Sequence, residues 1–350
     1  MGPVHNVNAS VQLSSNVHVR SFGGNQMHDG NPAFHKRTIR ILTWTYKSSR
    51  RPYWFHGRPT GLAHCNTPIP CVFSNNHSLY NVSDVIIFHT RLALKNTALP
   101  PYRLPHQHWI TYLRETPVKL PKIKQPHNTW FNWTIAYTMH ADIFRPYGMC
   151  LPTRGKVKVD PSSLTDTIQR VFGNATNSIP WENIKIEYQY TPINHANGKP
   201  RKVLWAVNNC RTVSRRETYV KELKRHIEID IIGKCGDDLC EKNAPCINEL
   251  FGNHKFYLAF ENAFCVDYIT EKVWLRLQEG IVPIVLGGGD YKSDLPVHSY
   301  IDVRDFSSPK ALASYLHKLD NDDNSYNEYF AWKQNYTCHS GPELPGKTLL

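Results

Sequence analysis

The chain has 350 residues, 20% of them charged and 41% hydrophobic, with a formal net charge of +12. That length accommodates two domains of ordinary size, and the composition excludes a chain disordered throughout. The positive balance suits an acidic ligand, but no long Lys/Arg block occurs, which argues against nucleic-acid binding.

Residues 1–37 are rich in Asn, Ser, His and Gly without periodicity and read as a flexible tail or stem. The alternating run at 38–46 (TIRILTWTY) predicts the first strand, and residues 47–83 are irregular. Short apolar runs at 84–89 (DVIIFH) and 108–113 (HWITYL) suit a buried parallel sheet. The second leads into Arg114, Glu115, Thr116 and Pro117. Polar residues just past such a strand face the ligand crevice. Glu115 is therefore either a catalytic carboxylate or a solvated loop residue paired with Arg114. Residues 118–129 form a Pro- and Lys-rich loop, 131–137 (FNWTIAY) is strand-like, and 141–148 turns away from it. The region 150–200 is rich in Pro, Gly, Ser and Asn and holds the domain junction, with a helix over about 161–172.

The second half restarts with a strand at 201–207 (RKVLWAV), followed by Asn208 and Asn209. A helix over 214–226 carries Arg215 and Arg216, and a strand follows at 228–232. The stretch 256–272 (FYLAFENAFCVDYITEK) begins as a buried strand and turns polar at Glu261 and Asn262. It continues into a helix with Asp267 as N-cap and Glu271 and Lys272 near its first turn. A buried strand feeding a helix N-terminus through a polar loop suits an anionic ligand. The strand at 281–286 ends in a triple glycine and Asp290, either a close backbone approach to ligand or a flexible turn. Final helices are predicted over 309–319 and 324–337. This alternation predicts an α/β protein with two Rossmann-like domains facing across a cleft. The expected boundaries are 38–185 and 186–338, with a short tail at 339–350.

The nine cysteines are Cys65, Cys71, Cys150, Cys210, Cys235, Cys240, Cys246, Cys265 and Cys338. None forms the C-x-x-C pair common in zinc sites, and disulfide loops are the other reading. The odd count leaves at least one thiol without an intrachain partner. Six N-glycosylation sequons occur, at Asn8, Asn76, Asn81, Asn132, Asn174 and Asn335. Together these features point to an oxidising secretory lumen. No apolar run reaches the roughly 18 residues of a membrane span, and no signal peptide is visible. Membrane attachment is thus expected only through an anchor outside this sequence.

A sugar nucleotide fits this layout, with its diphosphate at a helix N-terminus and cations nearby. Lys272 and a guanidinium from Arg215 or Arg216 would neutralise the departing phosphate in place of a divalent metal. Read singly, Lys272 is equally an ordinary solvated helix lysine. Tyr257 and Tyr268 are either ligand contacts or core. Asn262, just past a buried strand, needs a partner. Glu271 either binds sugar hydroxyls or complements the helix dipole.

The segments 256–263 (FYLAFENA) and 267–272 (DYITEK) resemble the signature of the α1,3/4-fucosyltransferases, glycosyltransferase family 10. The likeness continues through 282–287 (VPIVLG), 305–309 (DFSSP) and 329–332 (YFAW). It also takes in 131–134 (FNWT), Asp142 and Ile143, 146–148 (PYG) and 205–209 (WAVNN), and so covers roughly residues 38–335. The resemblance implies a GT-B fold and inverting transfer of L-fucose from GDP-β-L-fucose, usually to O3 of GlcNAc. It implies a Golgi-lumenal type II membrane protein, with no tightly bound cofactor and no essential divalent metal. Glu115 matches the family's proposed general base. Tyr147, Asn208, Asn209, Arg216, Tyr257, Asn262, Tyr268, Glu271 and Lys272 match donor-contacting positions, with Arg215 the one-residue rival of Arg216. Asn132 matches a position that the family can glycosylate.

Some positions depart from the family pattern. Ala263 stands where Ser is usual, Thr116 replaces Ser beside the base, and the helix after Lys272 is one residue shorter. A C-terminal cysteine partner for Cys338 is missing. The acceptor stays open between core GlcNAc of N-glycans and antennary GlcNAc of Lewis or LacdiNAc type. The competing readings are a catalytically degenerate family member that binds glycans or nucleotides, and a GT-B enzyme using another sugar nucleotide.

Overall fold

The structure is a computed structural model that describes residues 38–45, 61–63, 71–93, 99–120, 130–153, 193–236 and 246–341. It is an α/β fold of the expected GT-B type, built on two largely separate sheets. The first has seven strands in the order β2-β3-β1-β4-β5-β6-β7. These are β1 (Ile39–Thr43), β2 (Gly61–Ala63), β3 (Cys71–Ser74), β4 (Val85–His89), β5 (His108–Leu113), β6 (Trp133–Ala136) and β7 (Ile143–Phe144). All neighbours are parallel except β2 and β3. Successive side chains of β4 go to opposite faces, as a strand with both faces covered requires. Ile86 and Phe88 join Leu42, Tyr80 and Trp109, whereas Ile87 joins Ile110, Tyr112 and Ile135. A single helical turn, α1 (Thr90–Ala93), follows β4.

A two-stranded antiparallel ribbon pairs a mid-chain strand with the last described strand. In it β8 (Gly148–Pro152) pairs with β14 (Tyr336–Ser340), and Cys150 lies opposite Cys338, to which it is disulfide-bonded. Cys338 thus finds its partner upstream, not in a C-terminal cysteine. The predicted helix over 324–337 is interrupted here. Helix α7 (Asp323–Glu328) gives way to a 3-10 turn at Ala331–Gln334 and then to β14. The β-prone Tyr336-Thr337 pair and the bond at Cys338 draw the chain into the ribbon. Gly148 is required where the ribbon meets the second sheet: a Cβ there would lie 2.2 Å from the Trp274 ring. The helix predicted over 161–172 lies outside the described residues.

The second sheet has five parallel strands in the order β10-β9-β11-β12-β13. They are β9 (Arg201–Ala206), β10 (Ile229–Ile232), β11 (His254–Phe260), β12 (Val282–Leu286) and β13 (Ile301–Asp302). Every residue of β11 is buried, because neighbours flank both edges and helices cover both faces. Phe256, Leu258 and Phe260 pack in one cluster, and Tyr257 and Ala259 in the other. The helices of this half are α2 (Arg216–Leu223), α3 (Cys246–Asn253), α4 (Glu271–Gln278), α5 (Tyr291–Asp294), α6 (Pro309–Asp320) and α7. Helix α3 is an addition to the predicted elements, since cysteine spacing carries no helical signal. From β9 the chain crosses to β10 on one side, and β11 lies on the other. The crevice between the carboxyl ends of β9 and β11 is therefore a topological switch point, where open α/β sheets bind ligands.

Candidate active site

The loop after β11 stands at this switch point. Glu261 continues the buried strand and is itself fully buried. Its Oε1 accepts from the Thr270 backbone N–H at 2.8 Å, and its Oε2 accepts from Thr270 Oγ1 at 3.1 Å and Lys272 Nζ at 3.0 Å. Burial pushes the Glu261 carboxyl above its ordinary range, with the Lys272 ammonium opposing. Burial works against the Lys272 ammonium too, but the carboxylates of Glu261 and Glu271 outweigh it and hold the amine above its ordinary value. Lys272 is thus a fixed, charged group at the start of α4, not a solvated helix lysine. Glu271 is exposed, with Oε1 3.7 Å from Lys272 Nζ.

The N-cap of α4 is Thr270, not Asp267. Asp267 adopts a left-handed conformation, φ 59°, three residues before that N-cap. Its Oδ2 accepts from Thr138 Oγ1 and from the Met139 N–H, both at 3.0 Å. The triple glycine also has a reason other than the two considered. A Cβ at Gly288 would lie 2.7 Å from the Cys265 backbone N and O, so its bareness lets the β12 exit pack against the 261–269 loop.

Between β9 and β11 the two rival arginines differ in their surroundings. Arg215 is exposed and left-handed, φ 53°. Arg216 is 4% exposed and donates to the carbonyls of Phe260 at 2.5 Å and Asn209 at 3.2 Å. Its buried Nε–H has no hydrogen-bond acceptor, and burial lowers its pKa. Asn262 Oδ1 is likewise buried without a donor. Leftover buried polar atoms at a strand end are the positions from which a polar ligand is held. Asn208 Oδ1 accepts from the Lys234 N–H at 3.1 Å, and the Cys210–Cys235 disulfide ties the exits of β9 and β10.

Glu115 follows the carboxyl end of β5. Its alternative partner is corrected: the carboxylate pairs with Lys119 at 2.8 Å, while Arg114 lies 4.1 Å over the Tyr147 ring. The Tyr147 hydroxyl donates to the Arg114 carbonyl. Tyr268, from the β11–α4 loop, meets Tyr137 at 4.9 Å and Tyr147 at 6.0 Å between ring centroids. Burial raises the pKa of the Tyr268 phenol, and carboxylates of both halves, Glu261, Glu115 and Glu271, add to the rise. The ring is therefore a meeting point of the Glu115 side and the Lys272 side. Tyr257 is buried against Phe251 and Arg276, beneath the loop.

Nine of the ten expected site residues thus fall on the loops just beyond strand ends or at the start of α2, α4 or β8, and the tenth, Tyr257, lies in the middle of β11. Glu261, Lys119 and Tyr137 are additions to that set. A sequence signal existed only for Glu261, as a carboxylate directly continuing an apolar strand. Asn76, Asn81, Asn132 and Asn335 are exposed, and Asn132 Oδ1 accepts from the Trp109 N–H at 2.8 Å. Asn8 and Asn174 lie outside the described residues. A depression of about 520 Å³ beyond the triple glycine, bounded by Asp290, Tyr300, Arg304 and Asp305 among others, includes none of the expected residues.

Two family profiles match the chain: "Fucosyltransferase, N-terminal" over residues 36–148, and "Glycosyltransferase family 10 (fucosyltransferase) C-term" over residues 196–345. Alpha-(1,3)-fucosyltransferase C of Drosophila melanogaster is 30% identical over 346 residues, covering 95% of this chain and 77% of that protein. A 3-galactosyl-N-acetylglucosaminide 4-alpha-L-fucosyltransferase, FUT3 of Bos taurus, is 34% identical over 306 residues, with 85% and 72% covered. A crystal structure of an α1,3-fucosyltransferase with GDP-fucose superimposes with a TM-score of 0.47 at 14% identity, covering 88% of this chain and 85% of that one. With profiles matched on both sheets and relatives aligned over most of their length, the chain belongs to glycosyltransferase family 10, the fucosyltransferases.

Proposed function

We propose that the protein transfers L-fucose from GDP-β-L-fucose to O3 of a GlcNAc-containing glycan, with inversion at the anomeric carbon. The supporting observation is that Tyr268, on the loop leading into Lys272, packs on Tyr137 and Tyr147 of the half that carries Glu115, while the buried Glu261 holds Lys272. Glu115 takes the proton from the acceptor hydroxyl as its oxygen bonds to the anomeric carbon. The bond from that carbon to the β-phosphate oxygen breaks, and GDP leaves with the electron pair. Lys272 and the buried Arg216 stabilise the charge that develops on the phosphate, so the proposal routes no step through a divalent metal. Asn262 Oδ1 supplies an acceptor for a donor hydroxyl, and Glu271, exposed beside Lys272, serves ribose or sugar hydroxyls.

Residues 38–185 would then present the acceptor and 186–338 the donor. The setting proposed is the Golgi lumen, with an amino-terminal anchor and with Asn76, Asn81, Asn132, Asn174 and Asn335 as glycosylation candidates. The test is mass spectrometry, with linkage analysis, of a defined glycan array incubated with GDP-fucose. A deoxyhexose added α1,3 to GlcNAc is expected. Addition from GDP-mannose or a UDP-sugar instead, or GDP binding with no transfer to any acceptor, would overturn the proposal.

A further inference from the structure

Asp267 carries two features that its place in a loop does not require. It holds a left-handed backbone conformation at φ 59°, which costs an L-residue more than glycine. Its carboxylate also reaches residues nearly 130 positions upstream, accepting from Thr138 Oγ1 and the Met139 N–H. Backbone strain of this kind persists only where surrounding contacts hold it. Here the holding contacts are those two hydrogen bonds and the Tyr268–Tyr137 ring contact at 4.9 Å.

The register of the first sheet shows what these bonds connect. Strands β5 and β6 are parallel neighbours with Leu113 opposite Ala136. Glu115 lies two residues past Leu113, and Thr138 lies two residues past Ala136. The two therefore occupy equivalent positions on one edge of the sheet. On the other side, Asp267 precedes Thr270 and Lys272 by three and five residues, and both of these are fastened to the buried Glu261. The path from Glu115 to Lys272 thus runs through β5, β6, Thr138 and Asp267, along the chain to Thr270, and through Glu261.

We propose that Asp267 is a positioning residue. It latches the edge that carries Glu115 onto the loop that leads into Lys272, and so sets the separation of the base from the donor grip. This rests on the reading of Glu115 and Lys272 given above. Asp suits the position because it tolerates left-handed geometry and its carboxylate accepts two donors. A displacement near 1 Å between reacting groups costs on the order of 100-fold in rate, so the latch acts on turnover and not on donor affinity.

The test is a double-mutant cycle on Thr138 and Asp267, with kcat for fucose transfer and the GDP Kd by calorimetry measured for each variant. Asp267→Ala is expected to lower kcat about 10- to 100-fold, while GDP affinity stays within about threefold. Thr138→Val, which keeps the Met139 bond, is expected to lower kcat less and to add nothing to Asp267→Ala. Asp267→Asn retains an acceptor oxygen and the backbone tolerance, and is expected to stay within about fivefold of wild type. Additive losses in the cycle, or a fall in GDP affinity that matches the fall in kcat, would overturn the latch. Glu115→Gln is run in parallel. Full turnover by that variant together with a coupled cycle would remove Glu115 as the base and leave the latch standing.

Discussion

Glu261→Gln isolates the buried ion pair beneath the donor loop. In the wild type, three donors converge on two carboxylate oxygens: the Thr270 N–H, Thr270 Oγ1 and Lys272 Nζ. Glutamine has the same shape but only one acceptor oxygen, and its NH2 must face at least one of those donors. The Lys272 ammonium also loses its buried counter-charge. Removing one partner of a buried pair costs about 3–5 kcal/mol. Taking the second half as the unfolding unit, at about 2–4 °C per kcal/mol, the melting temperature should fall by roughly 6–20 °C. GDP affinity should fall about tenfold or more, equivalent to about 1.4 kcal/mol, because Lys272 is no longer held toward the phosphate. Differential scanning fluorimetry with and without GDP measures both. A melting temperature within about 1 °C of wild type, with unchanged GDP stabilisation, would refute the reasoning that Glu261 is a charged counter-ion to Lys272.

Lys272→Met should behave differently with pH. Without the ammonium, only the Thr270 hydrogen bonds oppose burial at Glu261, and its folded pKa stays above the unfolded value near 4.3. A carboxylate raised in this way contributes stability below its unfolded pKa and loses it as pH rises through the folded one. The variant should therefore lose more stability than wild type as pH rises from the unfolded carboxylate value toward neutrality; parallel melting curves across that range would contradict this. His195 gives the opposite slope: burial, aided by the charges of Lys333 and Lys199, lowers its pKa to about 4. Its contribution is present above the unfolded pKa near 6.5 and lost as pH falls toward the folded value, so His195→Gln should flatten the acid limb of stability between about pH 6.5 and 4. Removing the Cys150–Cys338 bond with paired Ser substitutions opens a loop spanning 188 residues and should cost about 4–5 kcal/mol in chemical denaturation; a loss under about 1 kcal/mol would deny the ribbon a role in holding the described fold. Transfer should persist in excess EDTA, and abolition restored by a divalent cation would refute the assignment of phosphate charge to Lys272 and Arg216.

Legibility in the sequence followed how local the causes were. Strand β11 could be read directly, because continuous apolar residues at 256–260 have no other stable place than a sheet covered on both faces. The polar switch at Glu261 and Asn262 is also plain, and it falls at the topological switch point of the second sheet. The partners were hidden, since nothing near Glu261 in sequence says that its carboxylate turns inward onto Lys272. Asp267 has the residue type of an N-cap and the right spacing, and nothing local foretells its contact with Thr138, two residues past the end of a distant strand. Arg215 and Arg216 are equivalent by pattern. The positive φ at Arg215 turns it outward and leaves Arg216 in the switch point, a consequence of how the loop after β9 meets Asn262. At the C-terminus, β14 depends on pairing with β8 across most of the chain, so a helix was the reasonable local reading and tertiary pairing overrode it.

The central claim is that a base on the first sheet acts on a donor gripped by the second. Single-turnover fucose transfer by Glu115→Gln, measured beside its GDP affinity, tests this most directly. The account predicts a loss of transfer of at least about 1,000-fold with the GDP Kd within about threefold of wild type. Wild-type turnover by Glu115→Gln would contradict it.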